Sequence, residues 1–103
     1  MYVMKYSLLL FLAAAHVHAS NSIFTSPQSC RAIVYNNVGL CDLQDCRGIL
    51  YHNAGFCQSA DCRAIAYNSA GMCQSRDCRG LIYNNVGYCD SQICRAIVFK
   101  TII

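Results

Sequence analysis

Residues 30–45 read CRAIVYNNVGLCDLQD, and residues 46–61, CRGILYHNAGFCQSAD, repeat them position by position. Two further copies follow, CRAIAYNSAGMCQSRD (62–77) and CRGLIYNNVGYCDSQI (78–93), then the partial copy CRAIVFKTII (94–103). The cysteines, Cys30, Cys41, Cys46, Cys57, Cys62, Cys73, Cys78, Cys89 and Cys94, are separated alternately by 11 and 5 residues, a period of 16. Self-similarity at a fixed short period marks a repeat architecture in which each unit completes the core of its neighbours.

Working outward, the stretch before Cys30 (residues 20–29, with Pro27) shows no period and reads as an irregular leader or cap. Before it, Lys5 precedes an apolar run from Ser7 to Ala15, and Val17-His18-Ala19 ends in a small residue. This is the layout of a cleavable signal peptide over residues 1–19, and the run is shorter than the ~20 residues that span a bilayer. The expected organisation is therefore signal peptide 1–19, leader 20–29 and one repeat domain over 30–103. No transmembrane segment is expected.

Past Ala19 stand six Arg and Lys100 against five Asp and no Glu, a net charge of +2, with His52 the single histidine. So small an excess gives no reason to expect nucleic acid or an anionic membrane as partner. All nine cysteines also lie past Ala19. In a secreted chain that density implies a disulfide scaffold.

Two folds compete. In the favoured one each copy is a short α-helix with Asp42, Ser59, Ser75 or Ser91 as N-cap. It ends on a left-handed glycine (Gly39, Gly55, Gly71, Gly87) that brings the tyrosine into a Schellman contact. The cysteine and the apolar residues three and four positions on then share a face. In the alternative, Arg-Ala-Ile-Val-Tyr is a strand, the Asn pair a turn, and the whole a disulfide-stapled β-solenoid or hairpin array. Cysteine pairing separates them: helices close the five-residue gaps and leave Cys30 over, strands close the eleven-residue gaps and leave Cys94 over. The odd thiol could join two chains as a disulfide-linked homodimer. The alternation Ala32, Gly48, Ala64, Gly80, Ala96 suggests a deeper 32-residue unit of antiparallel neighbours.

Stacked copies present rows. Arg31, Arg47, Arg63, Arg79 and Arg95 form one, and Tyr35, Tyr51, Tyr67, Tyr83 and Phe99 another. Asn37, Asn53, Ser69 and Asn85 form a less regular third. The Tyr row is read first as repeated core or helix-cap contact, since aromatic burial is favourable, and second as an exposed docking row. The Arg and Tyr rows are the candidate binding residues.

Nothing here makes a catalytic constellation. His52 stands in a slot otherwise held by Asn36, Asn68 and Asn84, while Asp45, Asp61 and Asp77 recur beside arginines and are expected in exposed ion pairs. Short Cys-x-x-Cys clusters are absent, so neither a metal nor a cofactor is expected. The reading is a secreted, non-enzymatic repeat protein acting by binding or assembly on an unknown extracellular protein or surface, as a structural component or an effector.

Two other functions fit less of the sequence. One is a membrane-active toxin or antimicrobial using the apolar end from Ala96 to Ile103; that end reads more simply as a truncated copy closing the core. The other is an ice- or polysaccharide-binding array. A secreted, short-period, disulfide-stapled chain resembles the insect antifreeze solenoids in architecture over residues 30–103. Their threonine rows are missing, with only Thr25 and Thr101 past Ala19.

Overall fold

The computed structural model describes residues 22–101; the expected signal peptide and Ile102 and Ile103 lie outside the described residues. A 3-10 turn, Ile23–Thr25, leads into five short helices: α1 (Pro27–Tyr35), α2 (Gln44–Tyr51), α3 (Ala60–Tyr67), α4 (Arg76–Tyr83) and α5 (Gln92–Phe99). Between them stand four 3-10 turns, Val38–Leu40, Ala54–Phe56, Ala70–Met72 and Val86–Tyr88. No strand occurs among the described residues, so the β-solenoid and hairpin alternatives fall. The helix wins because a left-handed reversal ends it in every copy and a serine caps its start in four of five, which outweighs the β-preference of Ile, Val and Tyr.

At the N-terminal ends, Ser26, Ser59, Ser75 and Ser91 are N-caps whose hydroxyls accept from the backbone N–H of Ser29, Cys62, Cys78 and Cys94. Asp42 is not the cap of α2. That place is taken by Leu43, which makes no side-chain cap bond and packs on the core instead.

The C-terminal ends also differ from expectation. The left-handed residue is not glycine but the residue directly after Tyr or Phe: Asn36, His52, Asn68, Asn84 and Lys100, with φ from 52° to 57°. Asn36 N–H donates to Ile33 O and Asn37 N–H to Ala32 O, the paired bonds of a Schellman motif, and each later helix repeats them. The four glycines have negative φ and sit inside the 3-10 turns.

Disulfides Cys41–Cys46, Cys57–Cys62, Cys73–Cys78 and Cys89–Cys94 close the five-residue gaps with Cα atoms 5.4–5.6 Å apart, leaving Cys30 unpaired. Each joins the residue after a 3-10 turn to the following helix. Each turn also packs against the helix on either side of it and so fills the groove between them.

Helices pack on their sequence neighbours, and α5 packs on α1, so the five form a closed cycle. Most of their buried residues are small, namely Cys30, Ala32, Cys46, Gly48, Cys62, Ala64, Cys78, Gly80, Cys94 and Ala96, with Ile49 and Ile93 the large apolar exceptions. The stretch expected as a leader is built into this cycle. Pro27–Ser29 open α1, and Ile23, 5% exposed, is buried in the core with Ala32, Cys46, Ile49 and Cys62 while its turn also touches α5. At the closing junction Cys30 meets Ile93 and Ala96, with Val34 and Ile97 beside them. The apolar segment Ala96–Phe99 thus belongs to α5, and Ala96 and Ile97 complete a core.

The Ala/Gly alternation does not mark antiparallel neighbours, because successive junctions repeat one set of contacts. Gln58 N–H donates to Asp45, Gln74 N–H to Asp61 and Asp90 N–H to Asp77, each at 2.6 Å. At Gly48 and Gly80 the slot is tight against a disulfide. A Cβ on Gly48 would lie 2.8 Å from Cys57 Sγ and 3.1 Å from Cys62 Sγ; one on Gly80 would lie 3.0 Å from Cys89 Sγ and 3.1 Å from Cys94 Sγ.

Alanine exceeds glycine in helix propensity by about 1 kcal/mol. Gly48→Ala is nevertheless expected to destabilise the oxidised protein by about 1–3 kcal/mol through overpacking. A denaturation midpoint at or above that of the wild type would show that the bridge does not press on α2.

Candidate functional site

Each tyrosine of the row is the last residue of its helix, one position before the left-handed turn. From there the side chain has no further helical turn to cover it. Tyr35 is 61% exposed, Tyr51 55%, Tyr67 63%, Tyr83 54% and Phe99 61%. The row is therefore surface, and its reading as repeated core is corrected, whereas the expected contact between the tyrosine and the apolar residue after the glycine is present at Tyr51 with Phe56 and at Tyr83 with Tyr88. The last residues of the 3-10 turns extend it: Tyr51 and Phe56 have ring centroids 5.8 Å apart, Tyr83 and Tyr88 5.6 Å, and Met72 is exposed near Tyr67 in sequence.

The Asn and Gly rows form one structural device. Asn37, Asn53 and Asn85 N-cap the 3-10 turns, their Oδ1 atoms accepting from Gly39, Gly55 and Gly87 N–H at 2.9–3.0 Å. A Cβ on those glycines would stand 3.0–3.2 Å from the same Oδ1. In the copy where Ser69 replaces Asn the cap bond is missing, and a Cβ on Gly71 would meet nothing within 4 Å. With the oxygen engaged inward, the three exposed amides keep N–H donors for the outside.

The repeated aspartates are not in exposed ion pairs. Asp45 and Asp77 are each 7% exposed. Asp45 accepts from Gln58 N–H and the Ser59 hydroxyl, Asp61 from Gln74 and Ser75 N–H and the Ser75 hydroxyl, and Asp77 from Asp90 and Ser91 N–H. Each carboxylate thus fastens the loop of the next copy to the helix before it. At the first junction the partners exchange places: Ser29 stands on the helix and Asp42 on the loop, with the hydroxyls of Ser26 and Ser29 donating to Asp42. Ile93 fills the aspartate slot of the closing junction, where the contact is apolar.

The arginines are thereby left without carboxylates. Arg31 reaches Gln28 Oε1 at 2.6 Å, Arg79 the carbonyl of Ser75 and Arg95 the carbonyl of Asp90, both at 3.3 Å. Arg47 and Arg63 have no hydrogen-bond or ion-pair partner among the described residues. The ion pair present, Arg76 with Asp90 at 3.5 Å, lies outside the row; Arg76 also covers the Tyr88 ring at 5.9 Å. Within each helix the row arginine precedes the aromatic by four residues, so the two share a face and make one column per copy.

His52 is exposed and serves the left-handed slot, which Asn and His tolerate better than most residues. Asp45, Cys57 and Cys62 place a carboxylate oxygen and two sulfurs within 4.8 Å, as do Asp61, Cys73 and Cys78 and also Asp77, Cys89 and Cys94. The sulfurs are joined in disulfides and the carboxylates hold loops; a thiolate, the form that ligates, is not on offer while the bonds stand.

Cys30 is fully buried between α1 and α5, and joining it to a second chain would require those helices to part. Burial pushes its thiol up, against a smaller downward pull from Arg31. The folded state therefore gives up this proton later than the unfolded chain does. The resulting contribution to stability is intact below the thiol's ordinary value of 9.0 and is lost as pH rises through the raised value. The wild type is expected to lose more stability than Cys30→Ala between pH 8 and about pH 10.5. Parallel pH profiles in denaturant would contradict the burial.

Nothing matches this chain among family models, curated proteins or solved structures.

Proposed function

We propose that the chain is a secreted, non-enzymatic binding or assembly protein whose recognition surface is the aromatic row at the C-terminal ends of its helices. The observation that carries this reading is the repeated exposure of Tyr35, Tyr51, Tyr67, Tyr83 and Phe99 in a chain whose buried large apolar residues are Ile23, Ile49 and Ile93, with cysteine and alanine making up the rest of the apolar core. Large aromatics contribute most to a core, yet here they are outside, where Tyr and Trp anchor interfaces. Four disulfides fit an oxidising compartment, and no helix among the described residues is long and apolar enough to cross a membrane. The rigid, cross-linked frame would hold five aromatic side chains at fixed intervals, so a repetitive partner could engage several at once with little loss of conformational freedom.

Expressed in a secretory host, the protein is expected in the medium with Ser20 as its first residue, and retention inside the cell would argue against secretion. Tyr51→Ser combined with Tyr67→Ser should shift stability by no more than about 0.5 kcal/mol per site, as for exposed positions. The same pair should abolish co-sedimentation with extracellular polymers such as cellulose, chitin, collagen or a heparin-coated matrix. A wild type that stays in the supernatant with every polymer, or a large fall in stability of the variant, would overturn the aromatic row as a binding surface.

A further inference from the structure

Net charge conceals how the charges are arranged. Asp45, Asp61 and Asp77 hold loops, Asp42 accepts from Ser26 and Ser29, and Asp90 pairs with Arg76. All five aspartate carboxylates thus have partners other than the row Arg31, Arg47, Arg63, Arg79 and Arg95, although Arg95 reaches the backbone carbonyl of Asp90. The bases recur once per helix, half-buried at Arg31, Arg47, Arg63 and Arg79 and exposed at Arg95, each four residues before an exposed aromatic on the same helix.

We propose that these Arg–Tyr columns bind an acidic polysaccharide, a chain of sugar rings bearing sulfate or carboxylate groups; this deepens the aromatic-row reading and rests on it. Guanidinium is planar and donates two parallel N–H bonds to a carboxylate or sulfate, and at Arg47 and Arg63 none of its donors is engaged. The tyrosine faces offer electron-rich apolar plates to the C–H faces of sugar rings, and their hydroxyls bond to sugar oxygens. Asn53 and Asn85, exposed on the turns beside the columns, add amide donors. A ligand with one acidic group would engage one column weakly. A repeating polyanion engages several columns of the same kind, which multiplies weak contacts into useful affinity.

An anionic membrane fits less well. The exposed rim mixes tyrosines with Asn36, Asn37, Asn53, Asn68, Asn84 and Asn85, whose amides would lose water on insertion.

The test uses the oxidised secreted protein with heparin as the acidic probe, dextran and cellulose as neutral ones, and phosphatidylserine vesicles. The expected result is heparin binding that weakens steeply with added salt and is absent for the neutral polymers. Arg47→Gln with Arg63→Gln, which breaks no internal hydrogen bond, should weaken it about tenfold or more at unchanged melting temperature. Lysine at both positions should restore part of the binding, since charge returns without the fork.

Equal binding of neutral and acidic polymers, with the Arg pair silent and the Tyr pair damaging, would overturn the acidic ligand and leave the aromatic row standing. Heparin binding lost with the Arg pair but untouched by Tyr51→Ser and Tyr67→Ser would overturn the columns and the aromatic row together. Binding to the vesicles without binding to heparin, or to no probe at all, would overturn the proposal.

Discussion

Each 3-10 turn is tied by a disulfide to the helix that follows it, and the rest of the structure depends on that tie. A helix of eight residues is too short to persist alone in water. Apart from Ile49 and Ile93, the buried apolar positions of these helices carry sulfur, methyl groups or bare backbone. Closing a five-residue gap removes on the order of 2 kcal/mol of chain entropy from the unfolded state, and four such bonds act on one small cycle. The bridge also lies hard against the preceding helix, where a Cβ on Gly48 would stand 2.8 Å from Cys57 Sγ. With covalent links and small residues holding the helices, the aromatics are released from the core and become available outside.

The carboxylate junction complements the disulfide. Sulfur fixes how near the next copy lies; Asp45, Asp61 and Asp77 fix how it is turned, by gathering the first N–H groups of its loop. The exchange of Ser29 and Asp42 between helix and loop shows that the pairing, rather than either residue, is what the fold requires. Ile93 shows the other solution, in which the junction gives up polarity altogether. The same engagement of the acids gives the outer arginines a chemical meaning that a net charge of +2 does not convey.

Much of this fold could be read from the cysteine spacing and the serine caps, which together select a helix bridged across five residues. Four features could not. Asn and Gly both tolerate left-handed backbone, and the invariance of Gly39, Gly55 and Gly87 looked like a demand on φ when it is a demand on space beside an Asn oxygen. The clue lay in the neighbouring slot, where His52 alternates with Asn, as suits a left-handed position. Asp45 and Arg47 look paired in sequence, but residues two apart on a helix do not face each other, and the carboxylate finds the next copy's loop. The exposure of Tyr35 and its equivalents follows from helix length, since the residue before the reversal is at the rim. Closure of α5 on α1 depends on the angle between copies, to which no single residue corresponds.

An open stack can gain or lose a unit at its end and change only in length. A cycle counts: with α5 seated on α1, a sixth copy inserted between them would have to part that contact. Duplication and deletion, the mutations that tandem repeats suffer most readily, would thus be felt by the whole molecule at once. In heredity as in geometry, this arrangement behaves as a single object rather than as a string of modules.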